Sequence, residues 1–101
     1  VNIDPFVLNL QPDAGDYYIQ IALTLQVPNQ QTADALKLFM PQVRSRLLLL
    51  ISSKKASELL TSDGKETLRD DIIDTLSEPF SGNRGLIIND VAFTSFVIQQ
   101  Q

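Results

Sequence analysis

The chain of 101 residues contains no cysteine and no histidine. Without cysteine it can form neither a disulfide framework nor a thiolate metal site, a composition that suits an oxidising compartment as well as the cytosol. Without histidine it lacks the Ser-His-Asp and Cys-His arrangements of nucleophilic catalysis and the usual imidazole metal ligands. Carboxylates and lysines are therefore the acid–base groups that remain.

The sequence also lacks a long apolar run and an excess of positive charge. Its longest aliphatic run, residues 47–51, is far shorter than the roughly 18 to 20 residues of a membrane-spanning helix. A net charge of −4 argues against a nucleic-acid partner, whose phosphates require a basic surface. The length and the 44% hydrophobic content predict a single folded domain over residues 1–101.

Three segments have the composition and spacing of β-strands. Residues 6–10 follow Pro5 and lead through the turn-rich sequence QPDAGD into residues 18–27, where apolar and polar positions alternate strictly. A period of two over ten residues predicts a half-buried strand with one core face. Residues 86–98 are rich in β-forming residues and predict a long final strand.

Between the second and third strands the apolar period changes to that of a helix. Apolar positions recur at intervals of four, three, four and three residues: Leu36, Met40, Val43, Leu47 and Leu50. Asn29 or Thr32 is expected to cap the start, and Pro41 predicts a kinked helix or two abutting helices over residues 30–52. The run 47–51 falls on this stripe and is interpreted as helical, with a buried strand as the alternative. On the helical interpretation, Leu48 and Leu49 widen the buried face.

Two further helices are predicted before the last strand. The first is short and lies around residues 56–60. The second is expected to begin with a capping box formed by Asp63 and Glu66 and to end at Pro79. Its apolar positions are Leu68, Ile72, Ile73 and Leu76, and the positions expected to face water are Arg69, Asp70, Asp71 and Asp74.

The end of the chain carries two further expectations. The sequence FSGNRG, residues 80–85, predicts a flexible connection into the last strand. Phe93 and Phe96 are three residues apart in that strand and are therefore expected on opposite faces of the sheet.

Four stretches together carry a resemblance to a known family: DPFVLNL, YIQIALTLQV, MPQVRSRLLLLISSKKASELLTSDGKETLRDDI and DVAFTSFVIQ. In this order they resemble the periplasmic C-terminal domain of the FliL family of flagellar basal-body proteins. The succession of a basic-apolar helix, a short SELL helix, an acidic helix and a V-x-F strand is more distantly similar to the stomatin (SPFH/band-7) domain. The resemblance implies an α+β fold, with a sheet of three or more strands packed against helices in the order β-β-α-α-α-β.

The resemblance also implies a function. FliL-like proteins are anchored in the bacterial inner membrane by an N-terminal helix that these 101 residues do not include. Their periplasmic domains form a homo-oligomeric ring that supports stator units of the MotA/MotB type during swimming or swarming. They are not enzymes, use no cofactor and bind neither nucleic acid nor a small-molecule substrate. The alternatives are a generic stomatin-like membrane scaffold and a small enzyme that works through carboxylates.

The charge distribution supplies candidate contact residues. Residues 37–55, the basic block, carry five positive charges and no acid, whereas residues 56–78, the acidic block, have a net charge of −5. The blocks can pair within one chain, pair between neighbours of a head-to-tail ring, or form solvated helix faces. The candidate contact residues are Arg44, Arg46, Lys54, Lys55, Asp70, Asp71 and Asp74. For the three aspartates a cation or acid–base site is the alternative, and for Lys54 and Lys55 it is contact with anionic headgroups.

Overall fold

The computed structural model describes residues 1–80 and 85–101, which form three strands and four helices. In chain order these are β1 (Asn2–Asn9), β2 (Tyr17–Gln26), α1 (Gln30–Leu38), α2 (Met40–Ser52), α3 (Ala56–Leu59), α4 (Ser62–Ser77) and β3 (Asp90–Gln100). The α+β class is confirmed, with four helices where the predicted order had three.

The three strands form one antiparallel sheet in the order β1-β2-β3, with β2 at its centre. The period-two pattern of β2 accounts for its burial, because alternate side chains point to opposite faces. The residues on its core face are all almost completely buried: Ile19, Ile21, Leu23 and Leu25. Helices α2 and α4 pack over this face, and their apolar stripes complete the core.

The helical region 30–52 divides into two abutting helices at Phe39. Asn29 is the N-cap of α1, since its side-chain oxygen accepts a hydrogen bond from the Thr32 amide at 2.8 Å. Pro41 lies in the first turn of α2, where its missing N–H leaves no intrahelical bond unmade. The proline therefore starts a helix instead of kinking one, which explains the extra element.

The aliphatic run 47–51 is helical, as the spacing predicts, but it has a single buried face. Leu47 and Ile51 are fully buried, whereas Leu48 and Leu49 are 42% and 67% exposed. The expectation that these two leucines widen the buried face is wrong, because only positions on the i, i+4 stripe reach the core. None of the helices in residues 1–80 and 85–101 is long and apolar enough to cross a membrane.

Helix α4 begins with a different cap from the one predicted. Its N-cap is Thr61, whose hydroxyl accepts from the Gly64 amide at 2.9 Å, and Asp63 already lies in the first turn. Asp63 there places a negative charge at the positive end of the helix dipole. A side chain at Gly64 would put Cβ 1.6 Å from the Glu58 carbonyl oxygen, so the tight α3–α4 corner requires glycine.

The final strand begins later than predicted and contains a β-bulge. It starts at Asp90, and the preceding residues 86–89 are irregular. The register of β3 against β2 shifts between Ala92 and Ser95, so that Phe93 and Phe96 pair with Leu23 and Ile21 on one face. The two rings meet edge to face at 5.4 Å, and the expectation of opposite faces is therefore wrong. Most of the predicted FSGNRG connection, residues 81–84, lies outside the described residues.

Candidate interaction surface

The two arginines of the basic block bind main-chain carbonyls of their own chain. Arg44 donates to the Asp4 carbonyl at 2.9 Å and lies 4.1 Å from the centre of the Phe6 ring, which ties α2 to β1. Both residues are partly buried. The guanidinium groups have intrachain partners, so a subunit contact through them has to share or displace these bonds.

Arg46 is the more heavily bonded of the two. Its guanidinium donates to the carbonyl oxygens of Thr75 at 3.0 Å and Glu78 at 2.9 Å, and also to that of Pro79. It lies 3.7 Å from the centre of the Phe80 ring. These carbonyls are at and just beyond the end of α4, where the last turn leaves acceptors without intrahelical donors and where a cation is favoured. Arg46 is thus the cap that joins α2 to the C-terminus of α4.

One pair between the basic and acidic blocks forms within the chain. The Lys54 ammonium contacts the Asp71 carboxylate at 2.8 Å, with the two side chains 18% and 34% exposed. The expectation that Asp71 faces water is wrong, because α2 and α4 pack together and bring this residue to the edge of their contact. This ion pair uses one of the candidate lysines and one of the candidate aspartates internally.

Three of the candidate residues remain in solvent. Lys55, Asp70 and Asp74 are exposed, and none of them forms an ion pair with another described residue. Asp70 and Asp74 are one helical turn apart and therefore lie on the same side of α4. These three side chains are the part of the predicted contact set that is available to a neighbour without breaking an intrachain bond.

Arg69 forms an ion pair that the sequence pattern did not reveal. It bonds to the Asp90 carboxylate and donates to the Val91 carbonyl at 3.0 Å, which fixes α4 to the start of β3. The hydrogen bond and charge of Arg69 hold the pKa of Asp90 below its ordinary value, and Asp90 raises the pKa of Arg69. The expectation that Arg69 faces water is wrong. Its position next to the buried Leu68 was the available signal, since a long side chain there can follow the apolar surface to the strand.

Asp13 in the β1–β2 connection is a second site that was not predicted. Its carboxylate accepts from the Ser57 amide at 3.1 Å and so stabilises the start of α3. Hydrogen bonds from Ser57 and the nearby charge of Lys55 lower the pKa of Asp13. The sequence offered only its place among turn residues, because the contact joins segments 44 residues apart.

A shallow apolar groove of about 400 Å³ lies between α1 and the segment that precedes β3. Its lining residues are Gln31, Thr32, Ala35, Leu38, Phe39, Gly85, Leu86 and Ile87. Leu38 and Ile87 at this groove are 74% and 65% exposed. The only sequence signal for it was that Leu38 stands off the apolar stripe of the first helical segment. In residues 1–80 and 85–101 the acidic side chains form no group of three that could hold a metal ion.

Comparison with known proteins places this architecture in a family. The family model for the flagellar basal body-associated protein FliL matches residues 1–99. The chain is 39% identical to a flagellar protein FliL of Escherichia coli strain K12 over 98 residues, which are 96% of this chain and 62% of that protein. It is 33% identical over 95 residues to a flagellar protein FliL of Aquifex aeolicus, covering 94% of this chain and 57% of that protein.

These relatives are longer than the chain, which spans about three-fifths of their length. The match nevertheless covers almost all of the sequence, including the basic block, the acidic block and all three strands. FliL proteins are a family of flagellar accessory proteins and not a known family of enzymes. The chain belongs to the FliL family of flagellar basal body-associated proteins.

Proposed function

We propose that residues 1–101 form one periplasmic, non-catalytic domain that oligomerises and supports stator units of the MotA/MotB type in torque generation. The family match over residues 1–99 is the observation that carries this proposal, since it supports a flagellar, membrane-associated role. In the whole protein an N-terminal helix anchors the domain to the inner membrane. The fold is proposed to be of the stomatin type, with no cofactor and no small-molecule substrate.

The proposed subunit contact joins Lys55 of one copy to the Asp70/Asp74 side of α4 in the next. Exposure supports this choice, because these three residues alone among the seven candidates have no intrachain ion pair or carbonyl bond from their charged groups. A contact that joins two different surfaces is heterologous and can close into a ring. It is electrostatic and partly solvated, so it weakens as salt rises.

The contact is tested by charge reversal in the full-length protein. Lys55→Glu and Asp70→Lys are each expected to weaken assembly, measured by cross-linking in membranes. Together they are expected to restore it, because the sign of each partner is exchanged while the net charge of the chain stays at −4. Lys37→Glu, a reversal at an exposed lysine on α1, is the matched control and should leave assembly unchanged. Failure of the double variant to restore assembly would contradict this pairing.

The motor role is tested by motility. A strain that carries a deletion of this protein is expected to swim or swarm poorly as medium viscosity rises, and the wild-type gene should restore both. Lys55→Glu should reproduce part of the defect, and the reversed pair should recover. Normal motility of the deletion strain at every viscosity would overturn the stator-supporting role, whatever the assembly measurements show.

A further inference from the structure

The two edges of the three-stranded sheet differ in how many main-chain groups they leave open. In the central strand, Leu25 donates to Val1 and Tyr17 accepts from Leu10, so the odd residues of β2 turn their main-chain groups toward β1. Main-chain direction alternates along a strand, and the even residues therefore bond to β3. The β3 residues that pair with odd positions of β2 turn their own N–H and C=O groups outward: Val91, Phe93, Phe96, Ile98 and Gln100.

The first part of the β3 edge is already occupied. The Val91 amide donates to Asp90 Oδ1 at 2.8 Å, and the Val91 carbonyl accepts from Arg69 at 3.0 Å. The bulge between Phe93 and Ser95 then interrupts the edge. Beyond it, Phe96, Ile98 and Gln100 present three outward N–H and C=O pairs at regular spacing. No described residue bonds to these groups.

The β1 edge is closed by several devices. Pro5 has no N–H, and the register of β1 shifts between Ile3 and Phe6. Arg44 occupies the Asp4 carbonyl, and past the end of the strand the Gln11 amide bonds to the Lys54 carbonyl at 2.9 Å. Proline, bulges and covering cations are the usual means by which proteins prevent edge pairing. The β3 edge lacks proline and has no charged residue from position 91 to 101.

We infer that residues 95–100 of β3 form a pairing edge for the same edge of a second copy of this chain. Two copies related by a two-fold axis at Ile98 would pair Ile98 with its counterpart and Phe96 with Gln100 of the second copy. Hydrogen-bonded antiparallel pairs exchange two bonds each, so the contact would form about six main-chain hydrogen bonds. A strand from another copy satisfies these donors and acceptors in kind.

The side chains along this edge suit self-pairing. The absence of charge after Asp90 means that an antiparallel copy brings no like charges opposite one another within the pairing strands. Phe96 and Ile98 are only partly buried by the monomer, although they pack against the core, so a second copy would cover them further. Lys65, whose ammonium lies 5.1 Å from the centre of the Phe96 ring, is a charge close to this edge, and it contacts the ring and not the main chain.

The closed β1 edge decides the symmetry. Head-to-tail pairing of β3 with β1 would need the edge that Pro5 and Arg44 block, whereas β3 with β3 needs only open groups. Such a contact is isologous and closes as a dimer. It is independent of the charge contact proposed for the ring, so either can fail without the other.

The register is tested by paired cysteines in a chain that has no other cysteine. With the axis at Ile98, Val97 lies opposite Gln99 of the second copy in a non-hydrogen-bonded pair, where Cα atoms approach to about 4.5 Å and a disulfide can form. Val97→Cys/Gln99→Cys is therefore expected to oxidise to a covalent dimer. Val7→Cys/Asn9→Cys is the matched control, because Val7 and Asn9 occupy the same two rows of the sheet at the β1 edge.

A second measurement tests the main-chain bonds without cysteine. Sedimentation of the parent chain should show a dimer that grows with concentration. Ile98→Pro removes the outward N–H at the axis without removing a β2–β3 bond, and it should leave a monomer; Ile98→Val keeps the N–H and should still dimerise. A parent chain that stays monomeric, together with equal cross-linking of the two cysteine pairs, would overturn the inference. Binding of the β3 edge by an unrelated extended peptide but not by itself would also overturn it.

Discussion

The basic block and the acidic block carry charges of equal size and opposite sign, but the fold uses them differently. Arg44, Arg46 and Lys54 are held by partners in their own chain, mostly main-chain carbonyls. In the acidic block, Asp70 and Asp74 face solvent, and no cation of the described residues pairs with either. Internal pairing between the two blocks is limited to Lys54 and Asp71.

This difference follows from the chemistry of helix ends. A guanidinium group offers five donors, and the end of α4 offers carbonyls that lack intrahelical partners, so Arg46 bonds to the helix terminus and to no carboxylate. The acidic side chains in the middle of α4 have no comparable set of donors nearby. The basic block therefore contributes mainly to the fold, and the exposed acids remain for contacts with other molecules.

The largest effect is expected when the basic block loses Arg46. Arg46→Ala removes three carbonyl bonds and the contact with Phe80, and it leaves the end of α4 uncapped. Hydrogen bonds from charged groups contribute about 1.5 to 3 kcal/mol each before exposure reduces them, so we expect a loss of about 2 to 3 kcal/mol in the free energy of unfolding. Urea denaturation of the purified domain measures this.

Two controls separate the geometry of Arg46 from its charge. Arg46→Lys keeps the charge but cannot reach three carbonyls with one planar fork, so it should recover less than half of the loss. Lys37→Ala removes an exposed cation from the same block and should change stability by no more than about 0.5 kcal/mol. A loss for Arg46→Ala no larger than that for Lys37→Ala would mean that the comparison between the blocks is wrong.

A smaller effect is expected from the pair that joins the blocks. In a double-mutant cycle, Lys54→Ala and Asp71→Ala should show a coupling of about 0.5 to 1 kcal/mol, because the two side chains are partly buried and 2.8 Å apart. The same cycle on Lys55 and Asp70 should show no coupling within one chain. Unfolding free energies at low salt measure both. Equal couplings in the two cycles would show that the observed pair contributes nothing specific.

The ion pair at the other side of α4 makes stability depend on pH. The pKa of Asp90 is lower in the folded chain than its ordinary value of 3.8, so its contribution is fully present above that value and is lost as the pH falls through the folded pKa. Asp90→Asn should therefore destabilise the domain at about pH 6 and make little difference at about pH 2. Urea denaturation at several pH values measures this. Asp70→Asn, a carboxylate without a cation partner, is the control and should change stability less at about pH 6; an equal loss would contradict the role given to Arg69.

Much of the fold was predictable because single residues carried strong local signals. The alternation in residues 18–27 identified the central strand, and the four-three spacing from Leu36 to Leu50 identified the helical region. Position-specific errors arose where two local signals competed. Pro41 suited both a kink and a helix start, and Asp63 suited a cap until the adjacent Thr61 took that place.

The contacts of the candidate surface were much less predictable. Charge counting found the two blocks but could not show that Arg46 reaches the end of α4, because the bonds join residues about 30 positions apart. The bulge in β3 was also invisible, since an extra residue such as Thr94 has no distinctive composition. Long-range geometry decided which charged residues have partners, and only the structure supplies it.

The smallest effect is expected from the exposed acids, and it should have the opposite sign. Asp74 lies in the C-terminal part of α4, where a negative charge is unfavourable to the helix dipole, and it repels Asp70 one turn earlier. Asp74→Asn should therefore raise the unfolding free energy by about 0.2 to 0.5 kcal/mol at low salt. Asp63→Asn is the matched control, because the same change in the first turn removes a favourable charge and should lower stability by a similar amount. A gain at position 74 would mean that this acid opposes the stability of its own helix, which supports a role in contacts outside the chain. A loss there comparable to that at position 63 would show that Asp74, like Arg46, serves the fold.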